Sequence, residues 1–566
     1  MSRTGRFPNK LIYQWFFLLM LFLLVFMSYW KNVFHLVDED WFLTWQIDSE
    51  WSVWDRIYDD NYYGFSHNAG LLGECRYNEI YTYDPNHDVY TAQMGMQGFI
   101  FGFLFKYFHF TKSHLYFAET LIVIICLVAL AWWIWKEFGY GTAVGYTVLL
   151  LFNQWLTVAA RNLYHVVWTM LFPFLCTLFI LRYAEKTEKK VNKQLFLWGF
   201  ISIFIKCACG YEYISLVMIN LELPVFYYAF KNRWKRNRSL LYFLELGIAS
   251  MCAFICSIIG VTIQNNYYLK KGILNAFREF LYHVLYRTGI GGSEQFEGII
   301  RESLEASRIS ILRAYFADGR PVLFQWNMNV MIVFIMAGML VCLIDTKYCK
   351  EINALRHKLL SLALLVSVAL LGPLSWMILA KGHAYIHMHI IYVIWSLPFL
   401  LLGEVLVIRS VGTVIISYMK TNKKLAAVAM AIILLLWFAV YYDMHFPIVS
   451  EYKRVVEYGR EVYTNETDTL IFYENKLYYL TDSKDENYYF LHFYKTEWSE
   501  EFYNHDFAFN DRKIQLPFWY RRRMAKVELP GDYEIQKIQT GCLDERRIDR
   551  VWETTLKRDI LNLQGE

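Results

Sequence analysis

Charged residues are scarce in this chain. They make up 19% of its 566 residues, whereas apolar residues together with Cys make up 56% and aromatic residues 19%. With a mean hydropathy of +0.24, this composition excludes an ordinary soluble protein and indicates a membrane protein. The scarcity ends near residue 446, because 41 of the following 120 residues are charged. The sequence therefore predicts a membrane domain over residues 1–446 and a soluble domain over residues 447–566.

Three further absences narrow the functional class. No basic block is interleaved with aromatic residues, so nucleic acid is excluded as a partner. Most of the ten Cys lie in apolar segments, where Cys behaves as a small hydrophobic residue, and none is paired in the way of a zinc site. Internal repeats, which are typical of transporters, are also missing.

Twelve apolar runs are candidate spanning helices, since a bilayer core of about 30 Å takes roughly 20 apolar residues per crossing. They cover approximately 11–33, 93–110, 115–135, 141–160, 163–181, 195–209, 214–230, 239–262, 322–344, 359–380, 388–408 and 425–443. The first run is too long and too aromatic for a signal peptide and has no cleavage site after it, so we expect a retained anchor.

The distribution of Lys and Arg predicts the orientation in the membrane. The basic segments, which we expect in the cytoplasm, are the N-terminus, 182–193, 231–238, 345–358 and 409–424. The segments that then face outward are 34–92, 264–320, 381–387 and the C-terminal domain. Four apolar runs, from 93–110 to 163–181, lie between the outer segment 34–92 and the cytoplasmic segment 182–193. Segments on opposite sides of the membrane are joined by an odd number of crossings, so one of these four runs does not span. We predict eleven crossings of the plasma membrane, with 93–110 as a re-entrant or interfacial run.

The C-terminal 120 residues predict a small α/β or α+β domain. The expected helices cover 451–462, 496–504 and 544–560, and the expected strands cover 469–473, 477–481, 487–494, 524–529 and 533–539. No Gly-rich phosphate loop or nucleophile elbow stands out there. An interaction or substrate-gating role and a second catalytic site are the two alternatives for this domain.

Three adjacent acids, Asp38, Glu39 and Asp40, follow the first apolar run directly. Neighbouring carboxylates at a membrane surface repel one another, and a cation, a substrate or plain solvation must offset that repulsion. The triplet is therefore either a solvated acidic helix end or part of a functional site.

The triplet and the layout of the membrane domain resemble the GT-C superfamily of polyprenyl-phosphate-sugar glycosyltransferases. Besides the triplet, the resemblance rests on a long first external loop over 34–92, a second one over 264–320, and the predicted number of crossings. Within the superfamily the chain is similar to the protein mannosyltransferase and aminoarabinose transferase-like group. The layout matches over residues 1–446, and the triplet is the match at the level of residues.

The resemblance implies that an acid of the first loop is the catalytic base. A lipid-phosphate sugar carries its own leaving group, so transfer needs a carboxylate to take the acceptor's proton and cations or a metal to hold the departing phosphate. Asp38 is the first candidate for the base, Asp40 is the second candidate or a metal ligand, and Glu39 ranks third. A divalent metal is the one cofactor that this reading leaves open.

A second, weaker similarity lies in Ala160-Arg161-Asn162-Leu163-Tyr164-His165, which resembles a junction between two early helices in many bacterial members. His165 stands where that family usually has Asp. We carry over only Arg161, as a substrate-binding candidate.

Two cations are further candidates for binding the donor phosphate. Lys206 lies in an apolar run, where an unpaired charge costs about 2.5 to 3.5 kcal/mol on insertion scales. It either pairs with Glu212 across the turn at Gly210 or binds phosphate. Arg287 precedes the Gly-rich segment 288–292, which is either a phosphate cradle or a flexible surface loop.

The segment Lys381-Gly382-His383-Ala384-Tyr385-Ile386-His387-Met388-His389 lies between two apolar runs. On a helix, His383 and His387 share one face at a spacing that suits a divalent metal. Three alternatives stay open: interfacial histidines that bond lipid headgroups, substrate positioning by His and by Lys381, and metal ligation.

We therefore expect an integral-membrane glycosyltransferase that moves a hexosyl or pentosyl group from a polyprenyl-phosphate sugar to a glycan or lipid-linked acceptor outside the cytoplasm. Its expected partners are that donor, that acceptor and the lipid bilayer. A polysaccharide polymerase or ligase is the first alternative, although it does not need the acidic triplet. A lipid or glycan transporter (flippase) is the second, and a non-catalytic scaffold is the third.

Overall fold

The structure is a computed structural model of the chain. It describes residues 9–34, 36–37, 41–74, 87–288, 298–317, 319–324, 326–343, 350–421, 448–464, 468–474, 476–481, 489–495, 503–505, 523–528, 535–542 and 547–556. Two compact units result: residues 1–33 with 46–426 form the first, and residues 34–45 with 427–566 form the second.

The chain is mostly helical. The helices are α1 Asn9–Tyr29, α2 Trp41–Thr44, α3 Ile47–Tyr62, α4 Met96–Phe108, α5 Lys112–Phe138, α6 Tyr140–Leu150, α7 Gln154–Ala159, α8 Trp168–Thr187, α9 Asn192–Cys209, α10 Ile214–Lys231, α11 Arg236–Leu269, α12 Ile273–Thr288, α13 Gly298–Glu305, α14 Arg308–Ala317, α15 Met328–Leu343, α16 Lys350–Ala369, α17 Leu371–Leu379, α18 Lys381–Ile386, α19 Ile391–Trp395 and α20 Leu401–Thr421. Short turns at His67–Gly70, Met388–Ile390 and Ser396–Leu400 link some of them. The first unit also has two small hairpins, β1 Leu72–Gly73 with β2 Val89–Tyr90 and β3 Pro321–Leu323 with β4 Trp326–Asn327.

Five stretches of the described residues are long and apolar enough to cross a membrane. They are Lys112–Phe138, Ile214–Lys231, Arg236–Leu269, Leu355–Leu379 and Ile391–Ile415. Two shorter apolar helices, Tyr13–Tyr29 and Met328–Leu343, accompany them. The composition predicted a helical membrane protein, and these helices agree with that prediction.

One side of α11 has the character of a surface that faces lipid. Leu244, Ile248, Met251, Ile255 and Ile259 are all exposed, and their spacing of three or four residues places them on one face of the helix. An apolar stripe of this length is rare on soluble proteins, because it would expose a continuous apolar patch to water. A hydrocarbon environment removes that cost.

Two of the twelve apolar runs form helices shorter than a single crossing requires. Run 93–110 forms α4, whose 13 residues rise about 20 Å against a bilayer core of about 30 Å. Run 141–160 divides into α6 and α7, because Asn153 begins a new helix by accepting the Leu156 N–H at 3.0 Å on its Oδ1. Run 425–443 lies outside the described residues, so eleven crossings stay a prediction.

A buried ion cluster joins four helices at one end of the bundle. Glu137 of α5 accepts from Arg182 of α8 at 3.0 Å and from Lys231 of α10 at 2.5 Å. Lys358 of α16 lies 3.5 Å from the same carboxylate. A buried carboxylate surrounded in this way fixes the relative positions of the helices that carry its partners.

The second unit contains two antiparallel sheets. Its described elements are α2, helical residues 448–458 (α21) and the strands β5 Arg460–Thr464, β6 Asp468–Tyr473, β7 Lys476–Thr481, β8 Tyr489–Lys495, β9 Tyr503–His505, β10 Arg523–Glu528, β11 Ile535–Cys542 and β12 Arg547–Leu556. One sheet has the order β10-β7-β6-β5 and the other β12-β11-β8-β9. Apolar side chains of α21 and the first sheet pack together, among them Ile448, Val455, Ile471 and Leu480.

The strands of this unit agree with the sequence better than its helices do. All five predicted strands are present, as β6, β7, β8, β10 and β11. The predicted helix over 544–560 is wrong, since residues 547–556 form β12, which pairs with β11. Pairing with a neighbouring strand overrides the local preference of a segment. The predicted helix over 496–504 lies almost wholly outside the described residues.

Candidate functional site

The loop between α7 and α8, residues 160–167, is held in place by a carboxyl group from α3. Glu50 Oε2 accepts from Asn162 Nδ2 at 3.2 Å and from the Leu163 N–H at 3.3 Å. Its Oε1 accepts from the hydroxyl of Tyr116 on α5. Burial raises the pKa of Glu50, and the hydrogen bond from Tyr116 opposes that rise. Glu50 therefore ties α3 to this loop and to α5.

Asn162 shapes the loop from within. Its Oδ1 accepts the N–H groups of Tyr164 at 3.1 Å and His165 at 2.9 Å, a local turn that Asn side chains favour. Val166 then adopts a φ of +44°, which is rare for a β-branched residue and costs of order 1 to 3 kcal/mol. The loop thus presents the side chains of Tyr164 and His165 to the interior of the bundle at a cost in backbone strain.

Tyr164 connects this loop to the turn between α9 and α10. Its hydroxyl donates to Glu212 Oε1 at 3.0 Å. At the start of the turn, Lys206 Nζ donates to the carbonyl of Gly210 at 3.1 Å. Lys206 and Glu212 are only 2% and 3% exposed. The structure therefore buries both charged groups of the predicted pair at one turn, and both sequence interpretations of Lys206 stay open.

Gly210 is required at this turn for two reasons. Its φ of +146° is a conformation that other residues rarely adopt. A Cβ there would lie 2.4 Å from both Gln93 Oε1 and Glu212 Oε2. Gln93 is fully buried, and neither polar atom of its side chain has a hydrogen-bond partner within the described residues. A buried amide left in that state costs about 1 to 3 kcal/mol, and it offers a donor and an acceptor beside Glu212.

A series of rings leads from the turn to the histidine segment. The centroid of Tyr213 lies 6.2 Å from that of His165 and 5.8 Å from that of His383. His383 lies 4.6 Å from His387, so the two imidazoles share one face, as their spacing predicts. Trp376 packs against both Tyr213 and His383. We call Tyr164, His165, Lys206, Glu212, Tyr213, His383 and His387 the central cluster.

Exposure to solvent differs across the central cluster, from half-buried side chains to fully buried ones. His383 and His387 are half-buried, whereas His165, Tyr213 and Lys206 are buried. Imidazole and ammonium groups suit a phosphate, and tyrosine, carboxylate and amide groups suit the hydroxyls of a sugar. The arrangement therefore combines both kinds of group in one continuous set of side chains.

Arg161 lies in the same loop, but its guanidinium contacts the end of α1. Its Nη2 donates to the carbonyl of Trp30 at 2.6 Å, and its Cζ lies 5.0 Å from the centre of the Trp30 ring. A cation at the last carbonyls of a helix stabilises the helix end. Arg161 thus anchors the end of α1, immediately before the segment that carries the acidic triplet.

The other predicted site residues either have their contacts outside the central cluster or are not among the residues that the structure describes. Lys381 Nζ donates to the carbonyls of Leu304 and Ala306 at the end of α13, and burial and the neighbouring Arg308 lower its pKa. Arg287 lies in the last turn of α12, and its side chain is not described. Asp38, Glu39 and Asp40, and the side chain of His389, also fall outside the described residues.

The described residues contain no group of three His, Cys, Asp or Glu side chains arranged to hold a metal ion. His383 and His387 are adjacent, yet two imidazoles alone do not complete a typical zinc site. Positioning and metal ligation therefore both stay open for these two histidines.

A second buried polar group, which the sequence did not predict, lies on α3 and at the chain that returns at residue 87. His87 Nε2 lies 3.2 Å from Asp59 Oδ2, and Arg56 pairs with Asp60 at 2.6 Å. Burial alone would lower the pKa of His87, but its hydrogen bonds to Asp59 and the Asp88 carbonyl raise it. The His87–Asp59 pair joins α3 to the returning chain, whereas Arg56 and Asp60 pair within α3.

No family model, curated protein or solved structure matches this chain. Some residues in or beside the central cluster were not predicted as site residues. Of these, His165 was noticeable in the sequence, because it departs from the family pattern. Gln93 and Tyr213 were not, because an amide or a phenol in an apolar run is ordinary until its neighbours are known.

Proposed function

We propose that this protein is an integral-membrane glycosyltransferase of GT-C type, which transfers a sugar from a polyprenyl-phosphate donor to a glycan or lipid-linked acceptor. The observation that carries the proposal is the central cluster, with the buried amide of Gln93 beside it. Transfer of this kind needs cationic groups for a phosphate and paired donors and acceptors for sugar hydroxyls. Both sets of groups meet in this cluster.

Each group has a part in the proposed reaction. The half-buried His383 and His387 receive the donor phosphate and stabilise the negative charge that develops as the bond to the sugar breaks. Glu212, Tyr164 and Gln93 hydrogen-bond the sugar. The acceptor's proton passes to an acid of the first loop, for which Asp38 is the first candidate.

The proposal includes a topology in which the membrane is crossed eleven times. The N-terminus and the basic segment 182–193 are then cytoplasmic, and the region after residue 446 is outside. A single engineered Cys at Asn465 tests it. In intact cells a membrane-impermeant thiol reagent is expected to label that Cys; labelling only after lysis would contradict the topology.

The function is tested with the purified full chain in proteoliposomes. A panel of polyprenyl-phosphate hexoses and pentoses is supplied with membrane-extracted acceptor, and release of polyprenyl phosphate is measured. We expect release with at least one donor, and a loss of about 10² in rate for His383→Gln, in line with the loss of one charge-stabilising group. His109→Gln, which changes an exposed histidine after α4, is the matched control. If no donor in the panel is consumed, or if both variants match the wild type, the proposal is wrong.

A further inference from the structure

A large groove lies between α1, α5 and α8, away from the central cluster. Its volume is about 870 Å³, within the range of about 300 to 1,000 Å³ that is usual for ligand pockets. Most of its lining is apolar, from Leu18, Phe22, Val128, Trp132 and Phe179 among others. The surface is therefore suited to a hydrocarbon chain along most of its length.

The polar lining residues all lie at one end of this groove. Gln14 is near the start of α1, whereas Lys136 and Lys186 are near the ends of α5 and α8. Lys136 Nζ donates to Gln14 Oε1 at 3.1 Å, which draws two of the three together. Lys186 belongs to the basic segment 182–193, so this end of the groove faces the predicted cytoplasmic side.

The two charged side chains that line this end, Lys136 and Lys186, are both positive. No carboxylate is among the residues that line the groove. The two nearest acids on the same helices are engaged elsewhere, since Glu137 binds Arg182 and Lys231 and Glu185 also binds Lys231. Lys186 is exposed and makes no ion pair with the described part of the chain.

We propose that this groove binds one anionic phospholipid of the inner leaflet, with an acyl chain between α1 and α5 and the phosphate between Lys136 and Lys186. Basic residues at the cytoplasmic ends of helices recognise anionic headgroups in this way, each contributing about 1 kcal/mol, or roughly five-fold in affinity. The apolar wall of the groove suits the acyl chain of the lipid, and the two lysines suit a negatively charged headgroup. This site is separate from the proposed glycosyl-transfer site.

The test measures lipid retention by the purified full chain. The protein is delipidated in detergent and titrated with phosphatidylglycerol or with phosphatidylcholine of the same acyl chains, and bound lipid is counted by native mass spectrometry. We expect one phosphatidylglycerol to be retained in preference to phosphatidylcholine. The double variant Lys136→Gln/Lys186→Gln is expected to weaken that binding by about 25-fold, from two roughly five-fold contributions.

Two controls separate this site from general attraction to a basic surface. Lys189→Gln/Lys190→Gln removes two exposed lysines of the same segment that do not line the groove, and it should leave retention unchanged. Ala129→Trp fills the apolar wall and should abolish retention even though both lysines remain. Inorganic phosphate at millimolar concentration should not displace the lipid. Equal losses in the two lysine double variants, equal retention of phosphatidylcholine, or displacement by phosphate would overturn the proposal.

Discussion

Removing the charge of Glu137 should destabilise the helical bundle more than any surface substitution. This carboxylate is buried and lies within 3.5 Å of Lys358, 3.0 Å of Arg182 and 2.5 Å of Lys231. Removing one partner of a buried ion pair costs about 3 to 5 kcal/mol, because the other charge is left uncompensated. In Glu137→Gln only the Arg182 side chain, 8% exposed, loses its one charged partner in the described residues.

The other two cations keep some compensation, and this places the expected effect at the low end of the range. Lys231 retains Glu185 at 2.8 Å, and the Lys358 side chain is 39% exposed to solvent. We therefore expect Glu137→Gln to lower the free energy of unfolding by about 3 kcal/mol. Unfolding in mixed micelles of dodecylmaltoside and sodium dodecyl sulfate measures it.

Glu185→Gln is the matched control, because it removes an ion pair to the same Lys231 from a carboxylate that is 24% exposed. Partly exposed pairs contribute about 0 to 1 kcal/mol, so this variant should stay within 1 kcal/mol of the wild type. Equal effects of the two substitutions would refute the reasoning, since burial of the Glu137 cluster is what sets them apart.

Three further predictions concern the site and its supports. Gly210→Ala should cost about 1 to 3 kcal/mol in stability through overpacking and reduce donor turnover, whereas Gly141→Ala, which meets nothing within 4 Å, should do neither. Asn162→Ala leaves the N–H groups of Tyr164 and His165 without their acceptor and removes one of the two donors to Glu50 Oε2, and thermal unfolding should show a loss of about 3 kcal/mol. Because the pKa of His87 is raised above 6.5, its protonated form adds stability that is present below that pH and is lost as the pH rises through the folded-state pKa. Melting curves between pH 6 and pH 9 should show this decline in the wild type and in His109→Gln but not in His87→Gln.

The sequence predicted helices and strands where their pattern is strong and independent of distant partners. The long apolar helices α5, α10 and α11 follow directly from hydropathy, because about 20 apolar residues between charges leave few alternatives. The divided run at Asn153 was missed, since one amide that caps a helix is a weak signal within an apolar run. The strand β12 was missed for a related reason, as its partner β11 decides its conformation.

The candidate site was predictable only in part. Lys206, His383 and His387 stood out because charged or titratable groups in apolar surroundings are costly and need a reason. The contributions of His165, Tyr213 and the buried amide of Gln93 depend on how three distant segments meet. Contacts between distant segments leave no pattern in the sequence around any one of these residues. Arg161 and Lys381 were predicted as substrate ligands, yet their observed contacts are with carbonyls at helix ends. A sequence does not distinguish a cation that binds a helix end from one that is available to a substrate.

The account depends most directly on sugar transfer from a lipid-phosphate donor with an acid of the first loop as base. The decisive measurement is the single-turnover rate of polyprenyl-phosphate release by the purified wild type, by Asp38→Asn and by Asp48→Asn, a matched change of another first-loop acid. Loss of a general base usually costs about 10² to 10⁴ in rate. We predict a loss of that size for Asp38→Asn in a folded protein and a rate near wild type for Asp48→Asn. Unimpaired release by Asp38→Asn, or no release by the wild type with any donor, would contradict the account.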